Sequence, residues 1–210
     1  MEKRKRFSQI LVKFCLLGSG IFGSSTGLAQ DSGSDEWKYK TEVFGGAGHG
    51  RFLHGDNNLG SGVDLGGGFA LRPFSGALHG LGFEIMFNGL GFNQSWSQGY
   101  SYNGKMHAIT GNILYHFGRS RTQFYFVGGL GGLQADYAFI NPYTRDLVDD
   151  PHYTEISKGT KIAINLGAGV KYRIISGLAL RPEFRMFDTT MGKGYNWTYL
   201  RLSIALGYHF

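Results

Sequence analysis

Leu200-Arg201-Leu202-Ser203-Ile204-Ala205-Leu206-Gly207-Tyr208-His209-Phe210 alternates without a break. Leu200, Leu202, Ile204, Leu206, Tyr208 and Phe210 hold one parity, and Arg201, Ser203, Ala205, Gly207 and His209 hold the other. A period of two is the signature of an extended strand with all six large apolar side chains on one face. A strand in a soluble two-layer protein can read this way, so one segment does not decide. Repetition along the chain does.

The same alternation returns upstream. Leu178, Leu180, Pro182, Phe184 and Met186 stand against Ala179, Arg181, Glu183 and Arg185. Ile162, Ile164, Leu166, Ala168, Val170 and Tyr172 stand against Ala163, Asn165, Gly167, Gly169, Lys171 and Arg173. Val63 to Leu71, Leu81 to Asn88 and Ile109 to Phe117 repeat the pattern. Two glycine-rich stretches, about 39–50 and 122–137, complete a set of eight. Their parity is harder to read, and the expectation is Val43 and Ala47 outward on the first, Tyr125, Val127, Leu133 and Tyr137 outward on the fifth.

Connections near 73–79, 118–121 and 175–177 are short, and those near 51–61, 91–104, 138–159 and 188–196 are longer. An even number of strands of about 10 residues, with short turns at one end and long loops at the other, describes a transmembrane antiparallel up-and-down β-barrel. Pro182 weakens strand seven, because proline cannot give a ladder hydrogen bond. The 35 glycines suit a narrow barrel, where a missing side chain makes room for a large one across the lumen. Aromatic residues are expected in two outward belts. Tyr100, Tyr102, Tyr137, Tyr143, Tyr195, Trp197 and Tyr199 form the loop-side belt, and Tyr115, Phe117, Tyr172, Tyr208 and Phe210 the turn-side belt.

The first 29 residues read as a cleaved secretory signal. Lys3, Arg4, Lys5 and Arg6 precede an apolar run from Ile10 to Phe22, and small residues lead to Ala29. Residues 30–210 are then the barrel domain. The signal carries five basic and one acidic residue, so it supplies four of the six net positive charges. The remainder, near +2, gives no reason to expect nucleic acid as a partner. Cys15 is the only cysteine and leaves with the signal, which excludes disulfide and thiol chemistry from the mature chain.

These features resemble the small outer-membrane barrels typified by outer membrane protein A and the opacity proteins. The signal, the Leu-Arg-Pro-Glu-Phe-Arg stretch at 180–185 and the stretch at 202–210 carry the resemblance, which covers about 37–210. It implies residence in the bacterial outer membrane after export, amid lipid and lipopolysaccharide. Leu206, Tyr208 and Phe210 resemble the signal read by the barrel-assembly machinery. The chain as given has no room after Phe210 for the periplasmic peptidoglycan-binding domain of some members, so that function is not expected.

The inward parity holds charges of both signs. Glu84 and Glu183 are the expected carboxylate partners of Lys171, Arg181, Arg185 and Arg201, with Glu42, Asp64 and Arg72 on the same face. An unpaired buried charge is costly, so a packed ion-pair plug is expected rather than a pore. Two other roles compete with a structural one: an adhesin or ligand-binding barrel acting through its loops, and a lipid A-modifying hydrolase. For the hydrolase, His107 is the candidate base, with Phe87 and Leu133 expected beside it and Ser95, Ser97 or Ser101 as the nearest hydroxyls. No catalytic residue is assigned. No cofactor or metal is expected: His49 and His54 flank the first loop, and Asp146, Asp149, Asp150 and His152 share the third, but this spacing matches no calcium loop and solvated loop charge is the reading. The Gly-x-Gly pieces at 66–68, 129–131 and 167–169 lack the following helix a nucleotide loop needs.

Overall fold

The computed structural model describes residues 40–54, 57–74, 78–95, 101–118, 121–140, 153–189 and 196–210. The signal assigned to 1–29 lies outside the described residues. Eight strands run in chain order: β1 (Thr41–His54), β2 (Asn57–Leu71), β3 (Leu81–Ser95), β4 (Ser101–Phe117), β5 (Thr122–Ile140), β6 (Tyr153–Ile175), β7 (Leu178–Asp188) and β8 (Trp197–His209). Each pairs antiparallel with the next, and β1 pairs with β8, so the sheet closes on itself. Closure satisfies every strand edge within the sheet, the condition for crossing lipid.

Residue pairs followed once round the wall measure its stagger. Val43 leads through Phe69, Ile85, Gly111, Leu130, Ile164, Asp188 and Thr198 back to Leu53. The path returns ten residues along β1 from its start. Such a stagger tilts the strands by roughly 40° and leaves an interior that side chains can fill.

The two faces separate as the alternation requires. Val63, Leu65, Ile85, Ile109, Ile113, Ile162, Leu202 and Ile204 are exposed on the outer wall, while Asp64, Glu84, Asn112, Asn165, Lys171, Arg181 and Arg185 are buried inside. Val43 and Ala47 are outward. Strand five differs from expectation. Phe124 and Phe126 face outward, 60% and 50% exposed, and Tyr125, Val127, Leu133 and Tyr137 face the lumen, none above 4%. Apolar residues occupy both parities of β5, so alternation cannot choose. Register chooses: Tyr125 pairs with inward His116 and Val127 with inward Leu114.

The strands also outrun the ten residues expected, from 11 in β7 to 23 in β6. Much of 51–61, 91–104 and 138–159 is ladder rather than loop. Examples are Phe52↔Gly60, Gly91↔Lys105 and Asp136↔Lys158. Gly, Asn and Ser give these segments a loop composition, but backbone pairing continues above the apolar band wherever two strands are already aligned. β6 rises beyond its neighbour, since its first pair with β7 is Ile164↔Asp188.

At the turn end, Gly118 and Gly177 take φ of +88° and +82°, values that a side chain disfavours. Pro182 sits outward without a bulge. The ladder to β6 lapses between Gly169↔Glu183 and Tyr172↔Leu180, while Pro182 stays paired with Ile204 on β8.

The turn-side belt is outward, with Tyr115, Tyr172, Tyr208 and Phe210 all exposed and Tyr115 against Phe117 at 4.8 Å. The described members of the loop-side set do not form an outward belt. Tyr137, Trp197 and Tyr199 are buried in the lumen, and Tyr102 packs against their cluster. Trp197 and Tyr199 share the parity of Arg201, so the alternation itself carries them inward. Tyr100, Tyr143 and Tyr195 lie outside the described residues.

Candidate functional site

The lumen holds two stacked layers. Toward the loops, Phe52, Leu59, Leu90, Phe92, Met106, Leu133, Tyr137, Phe187, Trp197 and Tyr199 form an apolar cap. Phe52 meets Phe92 at 4.9 Å and Trp197 at 6.1 Å. Tyr199 stacks on Phe187 at 5.2 Å. At the cap's edge the Tyr137 hydroxyl and His54 Nδ1 are 2.8 Å apart, and Lys161 Nζ lies 4.3 Å above the Trp197 ring.

Below the cap lies the ionic layer, where Glu84, Lys171, Arg181, Glu183, Arg185 and Arg201 are all buried. β7 supplies three of them at alternate positions, because residues two apart on a strand share a face. Arg185 reaches across to Glu84, with Nη1 and Nη2 each donating at 3.0 Å, and Nη2 also donates to Glu183. Arg181 donates to Glu84, to Glu183 at 2.9 Å and to the Tyr125 hydroxyl at 2.7 Å. Arg201 donates to Glu183 at 3.2 Å and to Asp64. Lys171 donates to Glu42.

Neutral groups take up the remaining positions. Asn112 donates to Glu84 at 2.9 Å, and Asn165 donates to Asn112 at 2.8 Å. Tyr125 donates to Glu183 at 2.8 Å, while Asn88 donates to Asp64 at 3.1 Å and Tyr199 donates to it as well. The ion pairs join four carboxylates (Glu42, Asp64, Glu84, Glu183) to four cations (Lys171, Arg181, Arg185, Arg201). The layer is thus neutral and cross-linked, which is the condition under which buried charges become tolerable. Opposed glycines admit the large groups. A Cβ at Gly169 would collide with the Tyr125 ring, and one at Gly207 with the Glu42 carboxylate.

The fold is that of the small eight-stranded outer-membrane barrels. Neisserial surface protein A superposes with a TM-score of 0.59 at 15% identity, over 81% of this chain and 97% of that one. A major outer membrane protein from Thermus thermophilus gives 0.53 at 13% identity, over 81% and 99%. No protein-family model matches the chain, and no curated protein sequence matches it.

Sequence reasoning reaches the six ionic residues by parity and notes Glu42 and Asp64 on the same face. It does not reach Tyr125 and Tyr199, whose hydroxyls complete the carboxylate shells, because it places both outside. Leu206, Tyr208 and Phe210 line one outward edge beside β1 and β7. His107 is outward, stacked on Phe87 at 6.2 Å. Its register partner on β5 is Gln134; Leu133 points inward, away from it. Ser101 lies six residues along β4, roughly 20 Å at strand rise, and Ser95 pairs with Ser101. Among the described residues, no hydroxyl stands in hydrogen-bond reach of this histidine as an activated nucleophile requires. Ser97 and the acidic loop segment 146–152 lie outside the described residues. Among the described residues no group of three or more His, Cys, Asp or Glu is placed to hold a metal ion.

Proposed function

We propose that this chain is an outer-membrane barrel whose lumen is plugged by its own side chains, with a structural or surface-interaction role. The observation that carries the reading is the neutral network spanning the lumen. Every charge in it is bonded to an opposite charge from another strand, so the interior is a packed core rather than a water path. The apolar outer wall with its turn-side aromatic belt supports insertion in lipid. In this reading residues 1–29 direct export, and Leu206, Tyr208 and Phe210 present the edge that the barrel-assembly machinery recognises. The loops are then the part available to a surface ligand.

Conductance across a planar lipid bilayer tests the reading. The refolded chain is expected to insert, to migrate differently in gels before and after boiling, and to give no steady unitary openings. Sustained openings would defeat the plug, and failure to float with lipid vesicles would defeat the membrane assignment.

A further inference from the structure

The outer wall is interrupted at one place on β1. Its outward positions run Val43, Gly45, Ala47, His49 and Arg51, so apolar character lapses after Ala47 and returns on this parity at Leu53. On β8 beside it the apolar positions continue from Phe210 through Leu206, Ile204 and Leu202 to Leu200. Register sets His49 directly between Val63 on β2 and Leu202 on β8, which are 66% and 63% exposed. Arg51 lies between Ser61 and Leu200. Two basic side chains therefore sit at the loop-side margin of the apolar band, His49 between its outermost exposed residues and Arg51 just above them, the depth at which a charge on the lipid face is tolerated.

Arg51 is held in place. Asn58 Oδ1 accepts from Arg51 Nε at 3.1 Å and from the Gly60 amide at 3.3 Å, so the side chain is tied to the β1–β2 hairpin. This spends Nε and directs the remaining guanidinium donors elsewhere. His49 lies two residues below on the same face, roughly 7 Å away at strand rise. Among the described residues, the nearest outward carboxylate along the sheet is Asp188, two strands distant on β7, which takes a hydrogen bond from Thr198.

We propose that Arg51 and His49 form a site for the phosphorylated headgroup of a lipid in the loop-side leaflet. The charge complement is a phosphate: the guanidinium's paired donors match two of its oxygens, and His49 offers a third contact below. The exposed side chains of Val63, Leu65, Leu202 and Ile204 flank the pair and receive the acyl chains. Asn58 is a positioning residue. The proposal rests on the membrane reading above, and deepens it by naming which lipid chemistry the wall selects.

The test uses the full mature chain refolded in zwitterionic micelles and titrated with diphosphoryl lipid A or with the same lipid dephosphorylated. Side-chain NMR signals of Arg51 and His49 report occupancy. Saturable shifts are expected with the phosphorylated lipid only. Arg51→Ala should bind it about fivefold or more weakly, the scale of a lost charge-assisted contact, and Arg51→Lys should recover part of the loss. Lys105→Ala, outward on the far wall, should bind as the unsubstituted chain does. Equal binding of both lipids, or unchanged binding by Arg51→Ala and His49→Leu, would overturn the site. Should Arg51→Ala not fold, the two-lipid comparison on the unsubstituted chain still decides. Vesicle flotation is run beside it: a chain that floats but does not discriminate the lipids loses only this site, whereas one that does not float loses the membrane reading.

Discussion

Glu183 is the hub of the ionic layer, because it accepts from Arg181, Arg185, Arg201 and Tyr125 together. Its replacement by Gln keeps the shape and removes the charge on which three guanidiniums converge. Breaking a buried pair from one side costs about 3–5 kcal/mol, because the partner charge stays behind. Glu183→Gln should therefore lower the unfolding free energy of the vesicle-inserted barrel, measured by urea titration, by an amount in that range. Removing both members of a pair as apolar isosteres, Glu84→Met with Arg185→Met, should cost less than the sum of the two single changes. A double-mutant cycle by equilibrium unfolding checks this, and additive losses would mean that the two side chains are energetically independent. A second residue-scale outcome concerns β5. A cysteine at Phe126 should be quenched by a lipid-phase spin label, and one at Tyr125 should not. The reverse result would restore the outward assignment of Tyr125.

At the scale of the strand, legibility follows the purity of the alternation. Within 178–186 and 200–210, and but for Met86 within 81–88, large apolar groups keep to one parity, so the faces of β3, β7 and β8 there, and with them Glu84, Arg181, Glu183, Arg185 and Arg201, can be read from the residues alone. β5 cannot be read this way, because Phe124, Phe126 and Leu130 compete with Tyr125, Val127 and Leu133, and only the ladders to β4 and β6 break the tie. Trp197 and Tyr199 are legible but easily misread: their positions near a strand end suggest a belt, while their parity already places them with Arg201. Pairings across the lumen, such as Arg201 with Asp64, join residues 137 apart and have no local signature. Glycine gives the strand-scale prediction. A Cβ at Gly169 meets the Tyr125 ring, whereas one at Gly111 meets nothing within 4 Å. Gly169→Ala should destabilise by about 1–3 kcal/mol, as overpacking does, and Gly111→Ala should be near neutral by the same unfolding assay.

For the whole molecule, the proposed plug rests on two packed layers in series. The ionic layer is built from Glu84, Glu183, Arg181 and Arg185, and the cap above it from Phe52, Tyr137, Trp197 and Tyr199. Current through a lumen is limited by its tightest section, so clearing one layer should leave the other closed. A barrel of this strand number and stagger is just wide enough for side chains to fill, which leaves no bypass between them. The variant Glu84→Ala/Arg185→Ala, neutral overall, should remain silent in a planar bilayer, as should Phe52→Ala/Trp197→Ala. Only the combination of all four changes is expected to pass ions, with brief and irregular openings, since truncated side chains leave a flexible constriction rather than a lined pore. Steady conductance from either double variant alone would show that one layer carries the seal by itself, and the other would then owe its burial to stability rather than to closure.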